Sequence, residues 1–87
     1  MSTLTKSGDW CVYIVECRDK SLYTGITNDL KNRIHAHNEG TGARFTRGRR
    51  PVVLKYVEIL ADRSTASRRE LQIKSLTREE KLKLISG

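Results

Sequence analysis

The sequence predicts an α+β fold, one antiparallel sheet of three strands flanked by helices, and three observations predict it. Apolar, β-branched and aromatic residues concentrate in three short runs near 10–17, 22–26 and 52–60. Two further stretches, near 28–38 and 64–75, space their apolar residues at 3.6 instead of two. Turn and cap residues fall between these segments. Eighty-seven residues bury only about 60–65% of the surface the unfolded chain exposes, so one small domain is expected over 10–85 behind a polar tail at 1–9.

The first run, "WCVYIVEC", is apolar on both faces apart from Glu16 and reads as a central strand. "RDKS" supplies a turn, and "LYTGI" a second strand antiparallel to the first, with Gly25 marking a place where another group approaches the backbone closely. Tyr13 and Tyr23 thereby fall on neighbouring strands.

A helix over 28–38 follows, capped by Thr27 or Asn28, with Asp29 in its first turn and Gly40 at its end. At 100° per residue, Leu30, Arg33, Ile34 and His37 share an arc of about 100°, while His35 points to the opposite side. "GTGARFTRGRR" reads as a loop with Phe45 set between Arg44 and Arg47, a mixture found where proteins hold exposed bases. In "VVLKYVEIL" Val53, Lys55, Val57 and Ile59 alternate with Val52, Leu54, Tyr56, Glu58 and Leu60. The helix from Ser64 sets Ala66, Glu70 and Ile73 within about 60° of one another. Thr77 and Glu80 form a capping box that opens a short final helix carrying Leu82, Leu84 and Ile85.

The net charge of +7 is concentrated. Residues 1–30 carry three cations against four anions, residues 31–55 seven against one, and residues 56–87 seven against five. A cationic block beside an ordinary remainder points to a polyanionic partner, most often nucleic acid, against the plainer reading of a solubilising surface. Cys11 and Cys17 lie six residues apart in one strand, about 20 Å at some 3.3 Å per residue, beyond disulfide reach. Free thiols and a start without an apolar signal core place the protein in the cytoplasm. Apolar runs of about five residues exclude a membrane-spanning helix.

Tyr13, Tyr23, Arg33, His37 and Glu70 are polar residues where elements meet the sheet. A cation or carboxylate on an apolar stripe is costly unless it is paired or opens on a polar cleft. A snorkelling arginine is the plain explanation of Arg33. Cutting a phosphodiester needs a base, a cation against phosphate oxygens and an anion for a divalent metal, and these residue types supply all three.

The order of these residues resembles the GIY-YIG nuclease superfamily, in particular its small single-domain branch. "VYI" at 12–14 looks like the GIY element and "YTG" at 23–25 like YIG, with Val12 in place of the first Gly and Thr24 in place of Ile. "GITNDLKNRIHAHN", "TRGRRPV" and "RRELQIKSLTREEKLKLI" extend the similarity from Trp10 to Ile85. The resemblance implies a three-stranded antiparallel sheet flanked by helices and a metal-dependent phosphodiesterase site. Tyr13, Tyr23, Arg33, His37 and Glu70 are its catalytic residues, Glu70 its metal ligand, and Mg²⁺ or Mn²⁺ its cofactor. Tyr23 is the favoured base or water-positioner. No Asn follows Asn38, so the asparagine that many members carry near the end has no counterpart.

The expected function is a divalent-metal-dependent endonuclease acting on DNA, possible in structure-selective form and in repair or processing. The alternative is a nucleic-acid-binding module that keeps the fold without chemistry, on DNA or RNA. A protein-interaction adaptor leaves the interrupted stripes unexplained. Arg44, Arg47, Arg49, Arg50 and Lys55 are the expected phosphate contacts, and a monomer is expected.

Overall fold

A computed structural model describes residues 8–87; most of the predicted polar tail lies outside the described residues. Strand β1 (Cys11–Glu16) is followed by β2 (Leu22–Thr27), α1 (Leu30–Glu39), a single turn α2 (Arg44–Arg47), β3 (Val53–Ile59), α3 (Arg63–Lys74) and α4 (Arg78–Ser86). The sheet has the order β2-β1-β3, and both pairings are antiparallel. As its apolar run predicts, β1 is central, and Cys11 to Val15 are all fully buried.

Alternation along β1 divides the core. Cys11, Tyr13, Val15 and Cys17 pack with Leu30 and Val52 on one face, joined by Tyr23, Ile34, Leu54 and Val57. Val12 and Ile14 pack with Ile73 on the other, joined by Leu22, Ile26, Tyr56, Leu60, Leu84 and Ile85. Helix α1 therefore covers the first face, and α3 and α4 the second. Each fully buried Val or Ile contributes about 1.5–3 kcal/mol, which makes β1 the main anchor of both layers. Cys11 and Cys17 are free and buried.

Three local expectations are corrected. Asp29 is the N-cap of α1, its side chain accepting from the Asn32 amide, because a non-helical backbone at Asp29 (φ −151°, ψ 76°) lets the carboxylate fold over the first turn; Thr27 instead accepts from the Asp29 amide. The predicted loop holds α2, although Ala43 caps it with no side-chain bond. The alternation in β3 breaks: Ile14 pairs with Tyr56 and Val15 with Leu54, which leaves Lys55 in a bulge. Leu54 and Val57 then share a face that strict alternation would deny them.

The remaining punctuation holds. Gly40 ends α1 at φ 87° in the left-handed region. Thr77 and Glu80 form both bonds of a capping box on α4, where Leu84 and Ile85 reach the core and Leu82 is exposed. No helix among the described residues is long and apolar enough to cross a membrane.

Candidate active site

The register sets Tyr13 opposite Gly25. A Cβ at Gly25 would stand 2.6 Å from the Tyr13 phenol oxygen and 3.1 Å from Tyr23 Cε2. The missing side chain is thus what lets the Tyr13 ring lie across β2 beside Tyr23, their ring centroids 6.4 Å apart. From the facing helix, the His37 ring meets Tyr13 at 5.8 Å and Tyr23 at 5.4 Å, both edge to face.

His37 is fully buried in the last turn of α1 and makes two short bonds. Its Nε2 lies 2.7 Å from the Tyr13 hydroxyl and its Nδ1 2.8 Å from Thr46 Oγ1. Thr46 Oγ1 is also 3.0 Å from the Ala43 carbonyl, which can only accept. Nδ1 also receives the Ala43 amide at 3.5 Å, so the ring is held at both nitrogens. A chain of hydrogen bonds runs from Tyr13 through His37 and Thr46 to the backbone. Gly42 permits it, since a Cβ there would come within 2.5 Å of His37 Nδ1.

Arg33, one turn before His37, is half-buried beside both phenols. The Tyr13 hydroxyl holds its guanidinium above the ordinary arginine value, against the opposing effect of burial. Burial pushes the Tyr13 phenol up to about 12, an effect Arg33 partly offsets. Burial first, and the Arg33 charge second, hold His37 below its usual value. At neutral pH the centre is a protonated phenol, a neutral imidazole and a cation. Arg33 has no carboxylate partner among the described residues.

The structure brings Tyr13, Tyr23, Arg33 and His37 together and does not bring Glu70 to them, since α3 covers the other face of the sheet. Tyr13 has no exposed surface, whereas Tyr23 is half-buried. His35 is exposed, 4.0 Å from Glu39. Glu70 stands on α3, which packs against β1 and β2, and its carboxylate pairs with Lys74 Nζ at 3.2 Å. Phe45 stacks on Tyr23 at 5.7 Å and carries the Arg49 guanidinium 4.2 Å above its ring. Arg49 also donates to Asp19 at 3.1 Å and to the Phe45 carbonyl at 2.7 Å. Lys55 lies 3.9 Å from Glu16, Arg44 is exposed, and Arg47 and Arg50 line a concavity with Arg18.

Residues 9–83 match the GIY-YIG catalytic domain. The chain belongs to the GIY-YIG family. A UPF0213 protein of Clostridium perfringens is 57% identical over 76 residues, 87% of this chain and 82% of that one. A UPF0213 protein of Staphylococcus haemolyticus is 54% identical over 74 residues, 85% and 90% of the two chains. The solution NMR structure of a UPF0213 protein from Bacillus halodurans matches with a TM-score of 0.58 at 42% identity, covering 90% of this chain and 83% of that chain.

The GIY-YIG family implies a divalent metal, and the donor set limits how one could be held. No group of three His, Cys, Asp or Glu side chains is assembled among the described residues. A single carboxylate at Glu70 fits a cation that keeps most of its waters and completes its shell with a substrate phosphate. Two contributors escaped sequence reasoning. Thr46 orients His37, and Asn38 clips α1 to the start of β3 by accepting from the Val52 amide at 2.7 Å and donating to the Val52 carbonyl at 3.3 Å.

Proposed function

We propose that this GIY-YIG chain is a divalent-metal-dependent endonuclease that hydrolyses phosphodiester bonds in DNA. The observation that carries the reading is Arg33: a half-buried guanidinium held beside two phenols with no carboxylate to neutralise it, in a cluster whose imidazole is neutral. A phosphate supplies the missing anion. Arg33 binds its non-bridging oxygens and stabilises the charge that builds on them as water attacks. Tyr23, half-buried beside Arg33, positions that water and, as the phenolate left once its own proton has gone to solvent, accepts the proton the water loses. Tyr13, tied to His37 and Thr46, fixes the wall against which Tyr23 and Arg33 are held. Glu70 would hold Mg²⁺ or Mn²⁺, which when bound supplies Lewis-acid stabilisation of the leaving oxygen.

A second reading is favoured by one observation, the Glu70–Lys74 pair. If that pair is the whole role of Glu70, the chain is a nucleic-acid-binding module without chemistry. Nicking of single-stranded, duplex, flapped and branched DNA with each metal, by the unaltered protein and Glu70→Gln, separates the two. The nuclease reading expects Glu70→Gln to lose cleavage while melting temperature and DNA binding are kept. A lowered melting temperature with Mg²⁺-dependent nicking retained in proportion to folded protein would assign Glu70 to structure.

A further inference from the structure

The basic loop does not present its arginines as one set. The amide of Arg18 donates to the Arg49 carbonyl at 2.9 Å, which brings the β1–β2 turn against residues 48–50. Asp19, in that turn, neutralises Arg49. Arg18, Arg47 and Arg50 instead line a concavity of about 410 Å³ with Asn38, Gly48 and Pro51. None of the three guanidinium groups has a carboxylate partner among the described residues.

The lining is held in place. Arg50 Nε donates to the Arg47 carbonyl at 2.9 Å, and its guanidinium lies where a Cβ on Gly40 would come within 2.8 Å of Nη1. Asn38 is fixed at both ends of its amide by Val52. Three like charges around one concavity repel each other, and an anion seated among them relieves that repulsion. Guanidinium forks match the paired oxygens of phosphate, and three of them exceed what one carboxylate would balance.

The concavity is coupled to the phenol centre by adjacent residues. On α1, His37 faces the tyrosines and Asn38 the concavity; on α2, Thr46 bonds His37 and Arg47 lines the concavity. We propose that Arg18, Arg47 and Arg50 form a second phosphate site, which takes a flanking backbone phosphate of the nucleic-acid strand whose reacting phosphate lies at Arg33. This rests on the nuclease reading and deepens it. Arg18 is the informative member, because it belongs to the hairpin turn and not to the basic loop.

The test is the salt dependence of binding to a short DNA duplex by the full chain, for Arg18→Ala, Arg50→Ala, the two combined and the distant Arg78→Ala, with nicking measured in parallel. Each phosphate contact removed lowers the slope of log affinity against log salt by about 0.9. Arg18→Ala and Arg50→Ala combined should lower it by about that amount, each alone should weaken binding, and Arg78→Ala should do neither. An unchanged slope and affinity for the Arg18→Ala, Arg50→Ala double variant overturn the second site and leave the nuclease reading standing. A lowered slope in a protein that never nicks DNA upholds the phosphate site and overturns the chemistry. No binding by the unaltered protein overturns both.

Discussion

Two polar clusters occupy opposite faces of the sheet and are built from nearly the same parts. On the face covered by α3, Tyr56 donates to Glu58 Oε1 at 2.9 Å, Arg69 Nε donates to the same oxygen at 2.9 Å, and Arg69 Nη1 reaches Gln72 at 3.2 Å. On the face covered by α1, two phenols and Arg33 meet a neutral imidazole. One cluster contains its own carboxylate and the other does not. Glu58 makes the first a closed network that fastens α3 to β3, with its charge satisfied inside the protein. The second is short of one anion, and in the proposed function a substrate phosphate takes that place. Phenol and arginine side by side therefore do not mark a site; an uncompensated charge among them does.

The sharpest way to break this comparison is to remove the guanidinium from each cluster in turn. Arg33→Met should lower cleavage by roughly 100- to 1,000-fold, the usual cost of deleting a group that stabilises transition-state charge, with the melting temperature nearly unchanged. Arg69→Met should do the reverse. Loss of its bond to Glu58 should cost about 1–2 kcal/mol, or roughly 4–8 °C per kcal/mol for a domain this small, with cleavage retained. Parallel thermal melts and single-turnover nicking check both, and equal effects on the two variants would erase the distinction.

Next in size is the histidine pair. His37→Gln should lower cleavage by about 100-fold, the scale of misplacing the catalytic groups by about 1 Å, whereas His35→Gln should leave it unchanged. The reasoning is burial: His37 is enclosed with two bonds, while His35 is exposed. Similar losses in both, in the same nicking assay, would mean that the ring at 37 serves only packing.

The smallest expected effect is on acid stability. Because His37 titrates below its ordinary value in the folded protein, its contribution is complete above about pH 6.5 and is lost as pH falls through the folded value. Asp19 and Asp62 are likewise held low by their hydrogen bonds, but their contributions are lost only below about pH 4. Melting temperature should fall from pH 6.5 to pH 5 in the unaltered protein, and His37→Gln should flatten that fall. An identical profile in both would remove His37 as its cause.

What the sequence made legible was local. Strand β1 announced itself by five consecutive apolar residues, α1 by a stripe ending at Gly40, and α4 by Thr77 and Glu80. The arc through Leu30, Arg33, Ile34 and His37 put the right histidine on the core face for the same reason. What stayed hidden depends on contacts between distant segments. Thr46 reaches back nine residues to His37, and Asn38 forward fourteen to Val52. Neither has a periodic signature, although the glycines at 40 and 42 mark where the chain folds back. The bulge at Lys55 is set by pairing with β1, and nothing within β3 encodes it. The "RDKS" turn carries no sign in its own residues that Arg18 docks on residues 48–50.

The most direct test of the central claim, that this carboxylate-free cluster hydrolyses phosphodiesters, is single-turnover DNA nicking by Tyr23→Phe. The change deletes one phenol oxygen and keeps the ring that stacks on Phe45. The account predicts that Mg²⁺- or Mn²⁺-dependent nicking disappears while DNA affinity and melting temperature stay as they were. Nicking by Tyr23→Phe at the rate of the unaltered protein would contradict it.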